Sequence, residues 1–221
     1  MRDSKLTRGD IWLLAMVTIA WGLSYPVIKI AVTTYPPLAF RSIGLLIGVV
    51  CFGAHLLRSH QTIKVPKPEW LPMLGVILVT MTLWQIGLVY GVKLLSGGRA
   101  AIIGYTFPVW ALVGSIVFYG AIFTWRSVVG VLLAVAAVAL LTLNEIDNFV
   151  ENPNGLIVML LAAMAWGIGT SMTRQSRLSI SNQALALWSL IITLLVFMPL
   201  SYIFELSEWR RPTFIETMAM C

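Results

Sequence analysis

Charge is scarce in this sequence. Only 11% of its 221 residues are Asp, Glu, Lys or Arg, against about 25% in an ordinary soluble domain. The groups that carry chemistry are scarcer still. The two cysteines, Cys51 inside an apolar run and Cys221 at the end, make neither a metal nor a disulfide framework. The two histidines, His55 and His60, sit at or beyond the end of one apolar run, and all nine acids fall in termini, connectors or run ends. No His, Asp and Glu gather at one depth, which argues against an enzyme, a metal site and a relay through a buried carboxylate. No cofactor is expected. Long connectors are missing too, so there is no room for a separate soluble domain.

What the chain has in abundance is apolar sequence: 59% hydrophobic residues and a mean hydropathy of +0.89. About 20 apolar residues cross a bilayer as a helix. Cutting at charges and turn residues gives seven such runs: Ile11–Val32, Leu38–Leu57, Leu71–Val92, Ala100–Phe123, Val128–Leu143, Gly155–Thr173 and Ala184–Phe204. Lipid-exposed strands are excluded because backbone groups need internal partners there. The fold class is an all-α integral membrane protein, a polytopic bundle of about seven transmembrane helices. The first run follows Arg2, Lys5 and Arg8 like a secretory signal, but it is too long and lacks a small-residue cleavage site, so it reads as a retained anchor.

The basic balance, with a pI near 9.6, is spread over short loops, which excludes a nucleic-acid groove. With the N-terminus inside, nine of the Lys and Arg residues fall on the inner side and six (Lys29, Arg41, Lys93, Arg99, Arg210, Arg211) on the outer. Cytoplasmic loops collect positive charge. The expected location is the cytoplasmic membrane, with a cytoplasmic N-terminus.

One internal similarity stands out. AWGLSYPVIK (Ala20–Lys29) lies without a gap on AWGIGTSMTR (Ala165–Arg174). Five spans separate the two starts, and an odd number inverts the second copy. Inverted repeats support alternating access about a site near the bilayer midplane.

The stretches WGLSYPVIK, PPLAFR with Arg41, LLSGGRAAIIGYTFPVWALVGSIVFYG with Pro108, and the small-residue run VVGVLLAVAAVALLTL together resemble the EamA-type drug/metabolite transporters. That family is built from ten helices in two inverted five-helix repeats. The resemblance implies a complete first repeat over residues 1–148 and a truncated second repeat over 149–221, lacking helices eight to ten. It also implies efflux of amino acids, related organic solutes or drugs. One departure is Ala121, which stands where family members commonly carry an acid.

The candidate solute site follows from helical spacing. Trp21, Ser24, Tyr25 and Lys29 share one face of the first span, and Trp166 and Thr170 occupy corresponding positions in the sixth, with Arg174 after them. A lysine at mid-bilayer costs about 3 kcal/mol, so it lines a cavity or snorkels to the headgroups; both readings stay open. Arg174 reads as a topology anchor. Arg41 and Arg99, with Lys29 and Lys93, form either a basic outer vestibule or a set of interface anchors. Gln85, Tyr105 and Thr106 are polar within apolar runs and either line the path or bond a neighbouring helix. Trp84, Trp110 and Tyr90 read as packing or interface aromatics. Pro26 and Pro108 are candidate kinks, and Gly44/Gly48 and Gly87/Gly91 have close-packing spacing.

The expected function is a secondary transporter whose partners are the lipid bilayer and a small-molecule solute. The shortfall of three helices leaves a second reading, a transport-incompetent fragment, scaffold or subunit, with a homodimer or another chain supplying what is absent. A seven-helix receptor fits less well, because its N-terminus lies outside and the last span here has no lysine for a retinal.

Overall fold

The computed structural model describes residues 7–122, 124–143 and 153–220. Arg2, Lys5, Phe123, Cys221 and the boundary expected near residue 148 lie outside the described residues. Every regular element within them is helical. The protein is an all-α polytopic membrane protein, and among the described residues six stretches are long and apolar enough to cross a membrane.

The first helix, α1 (Arg8–Thr34), starts on a capping box in which Thr7 and Asp10 satisfy each other's backbone N–H groups. It runs unbroken through Pro26. Helix α2 (Pro37–Arg58) begins on Pro36–Pro37 and has no side-chain cap of its own. The third span, Lys67–Leu94, is composite. Helix α3 (Trp70–Ile77) passes into a π-helical segment, Leu78–Leu83, and then into α4 (Trp84–Leu94). The fourth is broken: α5 (Gly97–Gly104), capped by Ser96, stops before Tyr105–Thr106, and α6 (Phe107–Tyr119) restarts with Pro108 in its first turn. There proline's missing N–H needs no partner. Gly120, at φ 61°, ends α6 in the left-handed conformation glycine tolerates.

Helix α7 (Trp125–Leu143) covers the fifth expected span. Then follow α8 (Pro153–Gln175), α9 (Asn182–Glu205) with Ser181 as N-cap, and a short α10 (Phe214–Met220) that the sequence did not suggest.

Cross-bonds sort the helix ends onto two sides. Lys29 reaches Lys93, Tyr35 reaches Arg210 and Glu205 reaches Leu38, so the ends of α1, α4 and α9 meet the start of α2. This is the far side, where α1 ends. Glu69 meets Ser179 and Trp188 meets Ile63 on the near side, where α1 begins.

Helix α8 packs against α3, α4, α5 and α6, while α9 packs against α2 and the α3–π–α4 span. Small residues permit the approach. A Cβ on Gly87 would lie 2.5 Å from Ala162, and one on Gly167 would lie 2.4 Å from the Phe107 carbonyl oxygen. Gly87 and Gly91 do pack, as their spacing suggests, against Ala162 and Met159. The main core sits on the far side. It joins Val32, Tyr35, Phe40, Val92 and Leu95 to Met220 of α10.

Candidate functional site

Between the α8 and α9 groups lies a cavity of about 530 Å³, lined from α1, α2, the α3–π–α4 span, the α5–α6 break, α8 and α9. That is the size of a small-molecule site. Its near-side wall is formed by Thr173, Asn182, Leu185 and Ser189. Its far end is lined by Tyr25, Ile28 and Leu88, which belong to the far-side core.

Seven of the residues singled out in the sequence meet here: Trp21, Ser24, Tyr25, Arg41, Gln85, Tyr105 and Trp166. Trp21 and Trp166, equivalent positions in the AWG repeat, face each other with ring centroids 5.6 Å apart. Trp84 and Phe107 approach Trp166 at 4.5 and 4.0 Å, and Tyr25 approaches Tyr105 at 5.8 Å. Trp84 therefore does more than pack. It is buried and also lines the cavity.

The other four candidates do not line the cavity. Lys29 donates from Nζ to the Lys93 carbonyl oxygen at 2.9 Å, so it caps the end of α4, and Ile28 takes the cavity position beside it. Thr170 donates to Trp166 O at 2.8 Å, one turn back in its own helix. Thr106 donates to Ile103 O at 2.6 Å and accepts from Trp110 Nε1 at 3.2 Å, holding the α5–α6 break together. Arg99 lies in the first turn of α5. Lys29 and Arg41 are thus separated, one on a helix end and one in the cavity, and do not share a vestibule. Arg174 is exposed.

The structure adds residues that sequence reasoning passed over. Thr80 and Met81 reach the cavity wall from the π segment, a helix defect that recurs at functional sites. The segment is held by Thr82, whose hydroxyl pairs with Thr193 of α9 at 3.1 Å, and by Thr80 packed on Gly169. Among the described residues, four buried side-chain polar atoms lack a hydrogen-bond partner: Tyr25 Oη, Arg41 Nε, Thr80 Oγ1 and Gln85 Oε1. All four residues line this one cavity. Buried polar groups without partners are costly, and their clustering in the residues of one cavity marks its wall as a candidate site.

The far side carries a second polar cluster. Glu205, 5% exposed, accepts from Leu38 N at 3.0 Å and Ala39 N at 2.9 Å, supplying the cap that α2 lacks. It also accepts from Tyr90 Oη at 3.2 Å and Ser201 Oγ at 3.4 Å. Below it, Glu216 of α10 pairs with Arg210 and accepts from Thr34 Oγ1 at 2.6 Å. The Arg210 guanidinium, donating to it, holds the Glu216 carboxyl down at about 2. No group of His, Cys, Asp and Glu among the described residues is arranged to hold a metal.

A sequence model of the EamA-like transporter family matches residues 7–143. The chain belongs to the EamA-like transporter family. Among its relatives is the uncharacterised transporter YoaV of Bacillus subtilis, 24% identical over 87% of this chain and 68% of that protein. Another is the uncharacterised inner membrane transporter YedA of Escherichia coli K12, 30% identical over 69% of this chain and 49% of the other. A third, 22% identical over 74% of this chain and 54% of its own length, is a probable terminal-alkyne amino-acid exporter of Streptantibioticus cattleyicolor. The chain thus spans about half to two thirds of the length of these EamA-like relatives. No solved structure matches it.

Proposed function

We propose that the cavity is the solute site of a secondary carrier that moves small organic solutes out across the cytoplasmic membrane by alternating access, and that the near side is cytoplasmic. In this reading residues 1–148 form one five-helix repeat, residues 149–221 contribute part of an inverted second, and the described conformation is open to the near side. The observation that carries it is the gathering of four residues with unpartnered buried polar atoms around one aromatic-walled cavity at a broken and π-distorted pair of spans. Discontinuous helices at mid-membrane are where carriers place their sites. The basic-residue bias supports the orientation, and a relative named a probable exporter supports the direction.

The test uses single cysteines at Ser24 and Ser189 after Cys51 and Cys221 are replaced by serine. A membrane-impermeant maleimide is applied to vesicles of each orientation. Labelling of both positions from the near side only is expected. Labelling equally from both sides, or from neither, overturns the carrier reading. A second reading, a subunit completed by a second copy or another chain, draws on α1, whose positions Gly9 to Leu23 are all exposed. A protein that labels as expected yet exchanges solute only when coexpressed with further helices supports it.

A further inference from the structure

Resting on the reading of this cavity as a solute site, we propose that it selects solutes bearing a negative charge on a flat, apolar body, with Arg41 as the residue that sets the charge preference. Arg41 is the one charged residue among the described lining residues, and no Asp or Glu is among them. Its Nε is occluded without a partner. It enters no ion pair among the described residues. The carboxylate that caps its helix is Glu205, whose two oxygens are already occupied by Leu38 N, Ala39 N, Tyr90 Oη and Ser201 Oγ.

A guanidinium has five N–H donors, no acceptor and a charge that cannot be titrated away. Held in a low-dielectric cavity without a counter-ion it is a strained arrangement, which an entering anion relieves and an entering cation worsens. The other unpartnered groups carry no charge that opposes an anion. The Tyr25 and Thr80 hydroxyls pack on Gly104 and Gly169. The Gln85 amide has only a weak 3.7 Å contact from Nε2 to Met81 Sδ, and reversing the amide presents its N–H₂ to the cavity. Gln85 can therefore join Arg41 in donating to an anion in the cavity that both residues line.

Aromatic faces attract cations, which is the opposing effect. Here Trp84 and Phe107 at 4.5 and 4.0 Å already cover Trp166, so the rings offer aromatic wall in place of an open cage. The charge of Arg41 is uncompensated and decides the sign.

The experiment compares three probes of one shape in the purified 221-residue protein: 3-phenylpropionate, 3-phenylpropanol and 3-phenylpropylamine, with binding measured by calorimetry. The anion is expected to bind at least tenfold more tightly than the alcohol and the amine. In Arg41→Gln the advantage over the alcohol disappears, and in Arg41→Lys it is partly retained. Amine binding equal to or tighter than anion binding overturns the proposal, as does an anion preference that survives Arg41→Gln. If Arg41→Gln does not fold, the wild-type charge series decides alone, with Gln85→Leu expected to weaken the anion more than the alcohol. Binding of none of the three overturns the solute class, while single-sided labelling at Ser24 and Ser189 would leave the carrier reading standing.

Discussion

The two sides of the bundle are built differently. On the far side, polar ties cross from helix to helix: Lys29 to the end of α4, Glu205 to the start of α2 and to Tyr90, and Arg210 and Glu216 to Thr34. On the near side the described cross-ties are few, chiefly Glu69 with Ser179 and Trp188 with Ile63, and the residues of α1 from Gly9 to Leu23 are all exposed. Apolar packing alone gains little between membrane helices, because lipid tails are as apolar as leucine. In the proposed carrier reading, closure belongs to hydrogen bonds and ion pairs, and the far side, which has more of them, is the closed one.

The largest expected break comes at Glu205. Glu205→Ala strands two backbone N–H groups of α2 and the Tyr90 hydroxyl, each costing about 1 to 3 kcal/mol when buried, so a loss of roughly 3 kcal/mol or more in detergent melting is expected. Glu205→Gln keeps one acceptor and should lose about half as much. Wild-type melting of the alanine variant would remove Glu205 from the closure. Next is Gly167→Ala, whose Cβ would meet backbone of α6 at 2.4 and 2.7 Å and should cost about 1 to 3 kcal/mol by overpacking. Gly22→Ala sharpens the contrast. It has open space around it on α1 and should stabilise by up to about 1 kcal/mol through helix propensity; a loss there would mean the near half of α1 is covered.

Lys29→Met removes one tie between α1 and α4 and should cost about 1 kcal/mol, with Lys29→Arg restoring most of it and probe binding in the cavity unchanged. Abolished binding in the methionine variant would return Lys29 to the solute path. The smallest effect concerns pH. Glu216 has a folded value of about 2 against an ordinary 4.5, so its contribution is complete above about pH 4.5 and is lost as pH falls through about 2. The melting gap between wild type and Glu216→Gln should therefore narrow steadily as pH falls from about 4.5 towards 2, and a constant gap would assign the ion pair no role. The exposure of Arg210 keeps this term modest.

Much of this was legible in the chain, because a bilayer imposes span length and makes polar residues within spans conspicuous. Trp21, Ser24, Tyr25, Arg41, Gln85, Tyr105 and Trp166 stood out for that reason and do converge. Thr106 and Thr170 stood out equally and do not, since a hydroxyl can satisfy itself on its own helix backbone, and composition does not reveal which it does. The role of Glu205 was hidden by distance: the cap of α2 comes from 167 positions away. The far-side seat of α10 gave no signal for the same reason.

The π segment at Leu78–Leu83 was invisible because it contains neither proline nor glycine. A wider turn holds one residue more than a regular one, so the stripes before and after it are out of phase by about 100°. The segment acts as slack in a line otherwise drawn tight. Met73, Val76 and Ile77 keep one alignment while Trp84, Gln85 and Leu88 keep another, and passing the surplus residue along the chain re-registers one half against the other without unwinding either end.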